Sequence, residues 1–131
     1  MGTPPLVLVI DDDDSIRRVV SDTLRASGYR AECAADGLEA LDSLRARRPS
    51  AIVLDLSMPN VDGWQFLNSY RDLTDGDDIP ILVASAQMDP NVETDLRKLG
   101  ADACLTKPFD VDDLLDNLER VLASPGRLTG G

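Results

Sequence analysis

The chain has 131 residues and a formal net charge of -11, from 24 acidic and 13 basic residues. This length is typical of one domain, since domains average roughly 150 residues. The excess of negative charge disfavours direct binding of nucleic acid, whose phosphates attract Lys and Arg. No histidine is present, which excludes histidine-based catalysis and most zinc sites in this chain. The absence of a signal-peptide pattern and of an apolar run of about 20 residues predicts a cytoplasmic protein without a membrane segment.

The first two predicted strands flank an amphipathic helix. The apolar run at 6–10 predicts a buried strand, and the weaker run at 29–34 predicts a strand at a sheet edge. Asp13 or Asp14 is expected to cap the helix, and Gly28 follows its end. Apolar spacing predicts one inward helix face, formed by Ile16, Val19, Val20, Thr23 and Leu24. The solvated face is expected to include Arg17, Arg18 and Asp22.

The middle of the chain repeats this alternation of helix and strand. A second helix is predicted from Gly37, and it carries Leu38, Leu41 and Leu44. The continuous apolar run at 51–54 predicts a strand buried on both faces, and it leads directly into Asp55. Residues 62–71 predict a third helix, and the acidic stretch 72–78 predicts a loop.

The last part of the chain adds two more strands and two more helices. The pattern predicts a strand at 79–84, a helix from Pro90 to Gly100, a strand at 103–105 and a helix after Asp110. Ser85 follows the first of these strands, and Lys107 follows the second. Pro125 and three glycines predict a flexible tail at 124–131, which leaves 1–123 as a single domain.

Strands and helices that alternate with long connections predict a parallel sheet with helices on both faces. The expected fold is α/β, a doubly wound five-stranded parallel sheet with the flavodoxin-like order 2-1-3-4-5. In such sheets ligands bind at the carboxyl ends of the strands, where the strand order reverses. We therefore expect one sheet edge to bring together Asp11, Asp12, Asp55, Ser85 and Lys107.

This predicted cluster favours phosphoryl chemistry. Three neighbouring carboxylates repel one another, so they are expected to hold protons or a metal ion. Because the available ligands are hard oxygens, Mg²⁺ is the ion that fits them best. A lysine and a hydroxyl at the same edge supply a cation and a hydrogen-bond donor for a phosphoryl group. A carboxylate nucleophile in this setting predicts formation of an aspartyl phosphate.

Four motifs give the chain a resemblance to the response-regulator receiver domains of two-component signalling. They are VIDDD at 9–13, LDLSMPNVDG at 54–63, ASA at 84–86 and KPF at 107–109. The resemblance implies that Asp55 accepts a phosphoryl group from a sensor histidine kinase or a histidine phosphotransfer protein. It also implies that Mg²⁺ is bound by Asp11, Asp12, Asp55 and the backbone carbonyl of Ser57. In this family the positions of Ser57 and Gln87 tune the lifetime of the phosphoryl group.

The same resemblance implies how the signal leaves the site. Lys107 would pair with the acidic cluster and then with the phosphoryl group, and a cis bond is expected at Lys107-Pro108. Ser85 would turn toward the phosphoryl oxygens and remodel the face of the fourth helix, fifth strand and fifth helix, which binds a downstream protein. Cys104 stands where receivers commonly carry a switching Tyr or Phe. We therefore expect this chain to respond through its backbone and Ser85 alone.

Two other functions are compatible with the same residues. A metal-dependent phosphatase of the haloacid-dehalogenase type would use Asp11 as nucleophile and Asp13 as acid, which leaves Asp55 without a role. A pseudo-receiver would keep the fold and bind partners without being phosphorylated, although the complete set of acidic, hydroxyl and lysine residues argues against it. Phosphorylation of Asp55 by a small acyl-phosphate donor would argue against the pseudo-receiver, and turnover of a phosphomonoester that depends on Asp11 but not on Asp55 would favour the phosphatase.

Overall fold

A computed structural model describes residues 3–56, 63–73, 79–86 and 88–123. The elements are, in order, β1 (Leu6–Ile10), α1 (Asp14–Ala26), β2 (Arg30–Ala34), α2 (Gly37–Ala46), β3 (Ala51–Asp55), α3 (Gly63–Leu73), β4 (Ile81–Ser85), α4 (Pro90–Lys98), β5 (Ala103–Thr106) and α5 (Val111–Ala123). The strands are parallel and form one sheet of order β2-β1-β3-β4-β5. The predicted doubly wound α/β fold is therefore confirmed.

A hydrophobic core lies on each face of the sheet. On one face, Leu24 of α1 and Leu118 of α5 pack against side chains of the central strands. On the other face, Ala40 of α2, Phe66 of α3 and Leu96 of α4 do the same. Strands β1, β3 and β4 are buried along their whole length. Burial on both faces explains why these strands read as continuous apolar runs in the sequence.

The predicted inward face of α1 is wrong at Val19, whose side chain is 57% exposed. Val20 and Leu24 of the predicted face are buried, and so is Ser21, which the apolar pattern leaves out. The Ser21 hydroxyl lies 2.8 Å from the Cys33 thiol of β2, so its burial is accompanied by a polar partner. A hydrophobic pattern cannot show the burial of Ser21, because that burial is accompanied by a polar contact with a neighbouring strand.

Strand β4 begins at Ile81 and includes Ser85, whereas the sequence predicts a strand at 79–84. Pro80 has no N–H group to donate to the sheet, so it lies just outside the strand. Its carbonyl still accepts a hydrogen bond from the Ile52 N–H at 2.9 Å. The shift places Ser85 inside the strand, at its carboxyl end.

Helix α3 continues to Leu73, so the predicted loop at 72–78 is wrong at its first two positions. Residues 74–78 of that prediction lie outside the described residues. Near the end of the helix, the buried Tyr70 hydroxyl donates to the Ile79 carbonyl at 3.0 Å and accepts from the Ile79 N–H at 2.9 Å. These two hydrogen bonds join α3 to the residues that lead into β4.

We expect the substitution Tyr70→Phe to lower the free energy of unfolding by about 1 to 3 kcal/mol, because it leaves the buried N–H and carbonyl of Ile79 without this partner. Urea unfolding at pH 7 measures the change. Tyr29→Phe is the matched control, since Tyr29 is only partly buried. Equal losses in the two variants would show that the Tyr70 hydroxyl has no special role.

No helix in the described part of the chain has the length and hydropathy needed to span a bilayer.

Candidate functional site

The ends of the two central strands bring three carboxylates together. Ile10 of β1 pairs with Leu54 of β3, so the residues that follow them, Asp11 and Asp55, lie side by side. Both are buried, whereas Asp12 is exposed. One oxygen from each of the three carboxylates lies within 4.8 Å of the others. Oxygen donors at this separation fit a single Mg²⁺ ion, which prefers such ligands.

Lys107, which follows β5, reaches back across the sheet edge to these carboxylates. Its Nζ lies 2.8 Å from Asp11 Oδ2 and 3.3 Å from Asp55 Oδ1. Burial alone would lower the pKa of the Lys107 ammonium group, but the hydrogen bond to Asp11 and the charges of Asp11 and Asp55 outweigh it, so the pKa is raised. The lysine therefore stays positively charged inside the cluster. The cis bond predicted at Lys107-Pro108 is confirmed.

Ser85 brings a hydroxyl to the same edge. It is the last residue of β4 and is 5% exposed. The preceding residue, Ala84, pairs with Asp55 in the sheet, and the Ser85 carbonyl accepts the Lys107 N–H at 2.9 Å. The backbone thus holds Ser85 between the strand of Asp55 and the residue Lys107. The predicted convergence of acidic, hydroxyl and lysine residues is present in the fold.

Gly63 places the start of α3 directly against the end of β3. A Cβ atom at this position would lie 2.6 Å from Leu56 Cα and 2.9 Å from the Asp55 carbonyl oxygen. The Gly63 N–H also donates to the Leu56 carbonyl at 2.9 Å. Since both close contacts are with backbone atoms, any side chain at residue 63 would displace the backbone that carries Asp55.

Cys104 lies on β5 and is partly buried against the core beneath α4. Burial raises the pKa of its thiol, and of the α4 side chains nearby, Arg97 lowers it while Glu93 raises it again. The thiol is therefore neutral at pH 7 and packs as a small apolar group. Ser57 and Gln87, the other two positions with predicted modulating roles, lie outside the described residues.

The prediction that Arg17 is solvated is wrong. Its side chain is 17% exposed, and its Nη1 donates to the Asp11 carbonyl oxygen at 2.6 Å. Its Nη2 pairs with the carboxylate of Asp14, three residues earlier on the same helix. The three-residue spacing of Asp14 and Arg17 was the one sign in the sequence that Arg17 has a partner, because residues three apart are neighbours on a helix. Arg18 and Asp22 are exposed, as predicted.

Asp13 caps helix α1, as the sequence predicts. Its carboxylate accepts the N–H groups of Ser15 and Ile16. This hydrogen bonding commits Asp13 to the helix terminus, and it gives the side chain a structural role that is separate from the carboxylate cluster.

Comparison with known proteins agrees with this arrangement. The family model described as the response regulator receiver domain matches residues 7–119 of the chain. The chain belongs to the response regulator receiver domain family. Receiver domains are signalling domains of two-component systems, so the fold and the cluster of side chains now have a common biological setting.

Several proteins are similar to this receiver domain. Response regulator MprA of Mycobacterium sp. (strain KMS) is 40% identical over 119 residues, which cover 91% of this chain and 51% of MprA. The receiver domain thus spans about half the length of the curated relatives it matches. The chemotaxis protein CheY4 of Vibrio cholerae is 37% identical, with a TM-score of 0.85 and coverage of 90% of this chain and 98% of CheY4.

A third similar structure is the receiver domain of the sensor histidine kinase PA1611 from Pseudomonas aeruginosa PAO1. It is 28% identical to this receiver domain, with a TM-score of 0.83 and coverage of 92% of this chain and 99% of that one. It has a magnesium ion coordinated in its active site cleft.

Proposed function

We propose that this receiver domain takes a phosphoryl group from a partner phosphohistidine onto Asp55 and then changes its contacts with other proteins. The observation that carries the proposal is the placement of Asp55, with Lys107 at 3.3 Å and oxygens of Asp11 and Asp12 within 4.8 Å. Histidine kinases are the partner class that two-component receiver domains imply. The 131 residues contain no histidine, so the donor histidine lies outside them.

In the proposed reaction, a carboxylate oxygen of Asp55 attacks the phosphorus of the phosphohistidine. An O–P bond forms, the P–N bond breaks, and the imidazole nitrogen leaves with the bonding electron pair. Lys107 places a positive charge where the phosphoryl oxygens arrive, and charge stabilisation of this kind is the main contribution a protein makes to phosphoryl transfer. The domain acts on itself, since it catalyses only its own phosphorylation and dephosphorylation.

Mg²⁺ is the proposed cofactor. Asp11, Asp12 and Asp55 would hold it, together with the carbonyl of Ser57, which lies outside the described residues. When bound, the ion neutralises the carboxylates and the charge on the phosphoryl oxygens. The magnesium ion in the cleft of the PA1611 receiver domain supports this assignment.

The proposed output surface is formed by α4, β5 and α5. Ser85 lies at the end of β4, where a phosphoryl group on Asp55 would attract its hydroxyl and the loop toward α4. A new phosphate carries about -1.5 to -2 charges, enough to bias a loop between two conformations. Because Cys104 has no ring to move, we propose that the change passes through the backbone and Ser85 to a downstream protein. Unchanged amide chemical shifts in α4 on phosphorylation would contradict this route.

An apolar surface beside the site is suited to the phosphohistidine partner. We call it the α1–α5 patch, and it consists of Ile16, Val19, Pro108, Phe109 and Val111. The patch borders a groove of about 430 Å³ that Lys107 also lines. Val19 and Val111 are 57% and 39% exposed, and exposed apolar residues that form a contiguous patch are typical of sites where another protein binds. A partner seated on this patch would bring its histidine toward Asp55.

The α1–α5 patch can be tested with Val19→Glu. We expect at least about tenfold slower transfer from a histidine kinase, because a buried unpaired charge weakens an interface. Phosphorylation by acetyl phosphate should be unchanged, since that donor needs no docking surface. The kinase is chosen by profiling purified autophosphorylated kinases against the wild-type domain. Leu38→Glu is the matched control, because Leu38 is 53% exposed on the other face of the sheet. Equal slowing by both variants would rule out the patch as the docking site.

The proposed function itself is tested by mass spectrometry. The domain is incubated with acetyl phosphate in the presence of Mg²⁺ or of EDTA. We expect its mass to rise by one phosphoryl group with Mg²⁺ only. No mass increase would favour a pseudo-receiver.

The phosphatase alternative is tested by turnover of a phosphomonoester. Multiple turnover that is lost in Asp11→Asn and kept in Asp55→Asn would favour the phosphatase. The carboxylate of Asp13, which would be its acid, caps helix α1, and this argues against the phosphatase.

We further propose a cytoplasmic location and no direct contact with nucleic acid by residues 1–123, while the tail predicted at 124–131 lies outside the described residues. The net charge of -11 supports the second of these proposals, because phosphate backbones attract basic proteins.

A further inference from the structure

Arg17 lies in the first turn of α1, close to the proposed metal ligands. Its guanidinium donates to the Asp11 carbonyl oxygen at 2.6 Å and pairs with the Asp14 carboxylate. The Arg17 side chain is 17% exposed and that of Asp14 is 84% exposed. The guanidinium is therefore held against the backbone of the turn, with Asp14 on its solvent side.

The other polar groups of Asp11 are also engaged. Its N–H donates to the Ala34 carbonyl at 3.1 Å, and its carboxylate accepts the Asp13 N–H at 3.0 Å and the Lys107 Nζ at 2.8 Å. The hydrogen bond from Arg17 engages the remaining polar group of Asp11, its backbone carbonyl. The Asp11 residue is thus fixed at its N–H, its side chain and its carbonyl.

The Asp11 carbonyl matters because of the residue that follows it. The carbonyl of one residue and the N–H and Cα of the next belong to a single planar peptide unit. A bond that fixes the Asp11 carbonyl therefore fixes the orientation of the peptide from which Asp12 extends. Asp12 is exposed and lies outside the regular elements, so it depends on this peptide for its direction.

We propose that Arg17 is a positioning residue that aims the Asp12 carboxylate at the metal site. This inference rests on the proposed Mg²⁺-dependent function. By charge alone, a guanidinium near the site would oppose binding of a cation. The two explanations thus predict opposite effects when Arg17 is removed. If Arg17 positions Asp12, Mg²⁺ binding becomes weaker, and if Arg17 acts only through its charge, binding becomes tighter.

The test compares wild type with Arg17→Met, Arg17→Lys and Arg18→Met, with Mg²⁺ affinity measured by calorimetry and backbone amide shifts by NMR. For Arg17→Met we expect affinity to fall by about tenfold or more, as is typical when a residue supporting a metal ligand is removed. Arg17→Lys should also weaken binding, because an ammonium keeps the charge but lacks the planar fork that serves two acceptors. Arg18→Met removes a neighbouring exposed charge and should leave the affinity unchanged.

Tighter or unchanged binding in both Arg17 variants would overturn the proposal. Thermal unfolding in EDTA checks that each variant is folded. If Arg17→Met does not fold, the comparison is made between wild type and Arg17→Lys. In the NMR spectra, the amide shift of Asp12 in the Mg²⁺-free variants should differ from wild type, while that of Ser85 should not. A wild-type domain that fails to bind Mg²⁺ would instead refute the proposed function on which this inference rests.

Discussion

Asp55→Asn is expected to lower phosphoryl incorporation from acetyl phosphate to below about one-hundredth of the wild-type amount, because the variant lacks the attacking carboxylate oxygen. Intact-mass spectrometry after incubation with Mg²⁺ measures the incorporated group. The variant should remain folded, since it removes one of three carboxylates that repel one another within 4.8 Å. A melting temperature well below that of wild type would show that the loss has a structural cause.

The control for this prediction is Asp22→Asn, which removes an exposed carboxylate from the surface of α1. It should be phosphorylated at the wild-type rate. Phosphoryl incorporation that survives Asp55→Asn would place the acceptor elsewhere, and peptide mapping of the labelled protein would identify the residue.

The second large effect is expected for Lys107→Met. Lys107 is the cation that contacts both Asp11 and Asp55, and its side chain is 19% exposed. Its removal should slow phosphorylation by acetyl phosphate by about 100-fold, the usual cost of losing one group that stabilises the transition-state charge. Lys98→Met is the matched control, because Lys98 is the other lysine of the chain and is exposed near the end of α4. Equal phosphorylation rates for the two variants would show that Lys107 does not contribute to the reaction.

The raised pKa of Lys107 predicts that the difference in unfolding free energy between wild type and Lys107→Met changes at alkaline pH. Its pKa is raised in the folded protein, so its contribution to the free energy of unfolding is fully present below the ordinary lysine value of about 10.4. The contribution is lost as the pH rises through the higher folded value. The stability gap between wild type and Lys107→Met should therefore be constant from neutral pH to about 10 and then narrow. Urea unfolding of both proteins across this range measures the gap, and a gap that widens would contradict the sign.

Much of the fold follows from local physics. The strands that lie in the centre of the sheet are buried on both faces, so each appears in the sequence as an unbroken apolar run. Each of these runs is followed by a polar residue, and parallel strands deliver those residues to one edge. The convergence of Asp11, Asp55, Ser85 and Lys107 can therefore be predicted from the sequence.

The predictions that are wrong depend on contacts between elements. Val19 fits the apolar period of α1, yet it is exposed, whereas the polar Ser21 is buried with its hydroxyl beside the Cys33 thiol of β2. Arg17 looks like any exposed arginine in the sequence, and only the curved path of the β1–α1 turn brings it to the Asp11 carbonyl. Such polar contacts do not recur at a fixed spacing, so a pattern along the chain cannot show them.

The rate at which the Cys104 thiol is alkylated can report movement of α4 relative to β5. The thiol is partly buried beneath α4, and burial raises its pKa, so alkylating reagents should modify it slowly in the resting state. The exposed Cys33 should react first and can be blocked or replaced. Any movement that lifts α4 from β5 would then be recorded as faster alkylation of Cys104. The departure from the usual aromatic residue thus allows the proposed output surface to be followed with a simple reagent and without an added label.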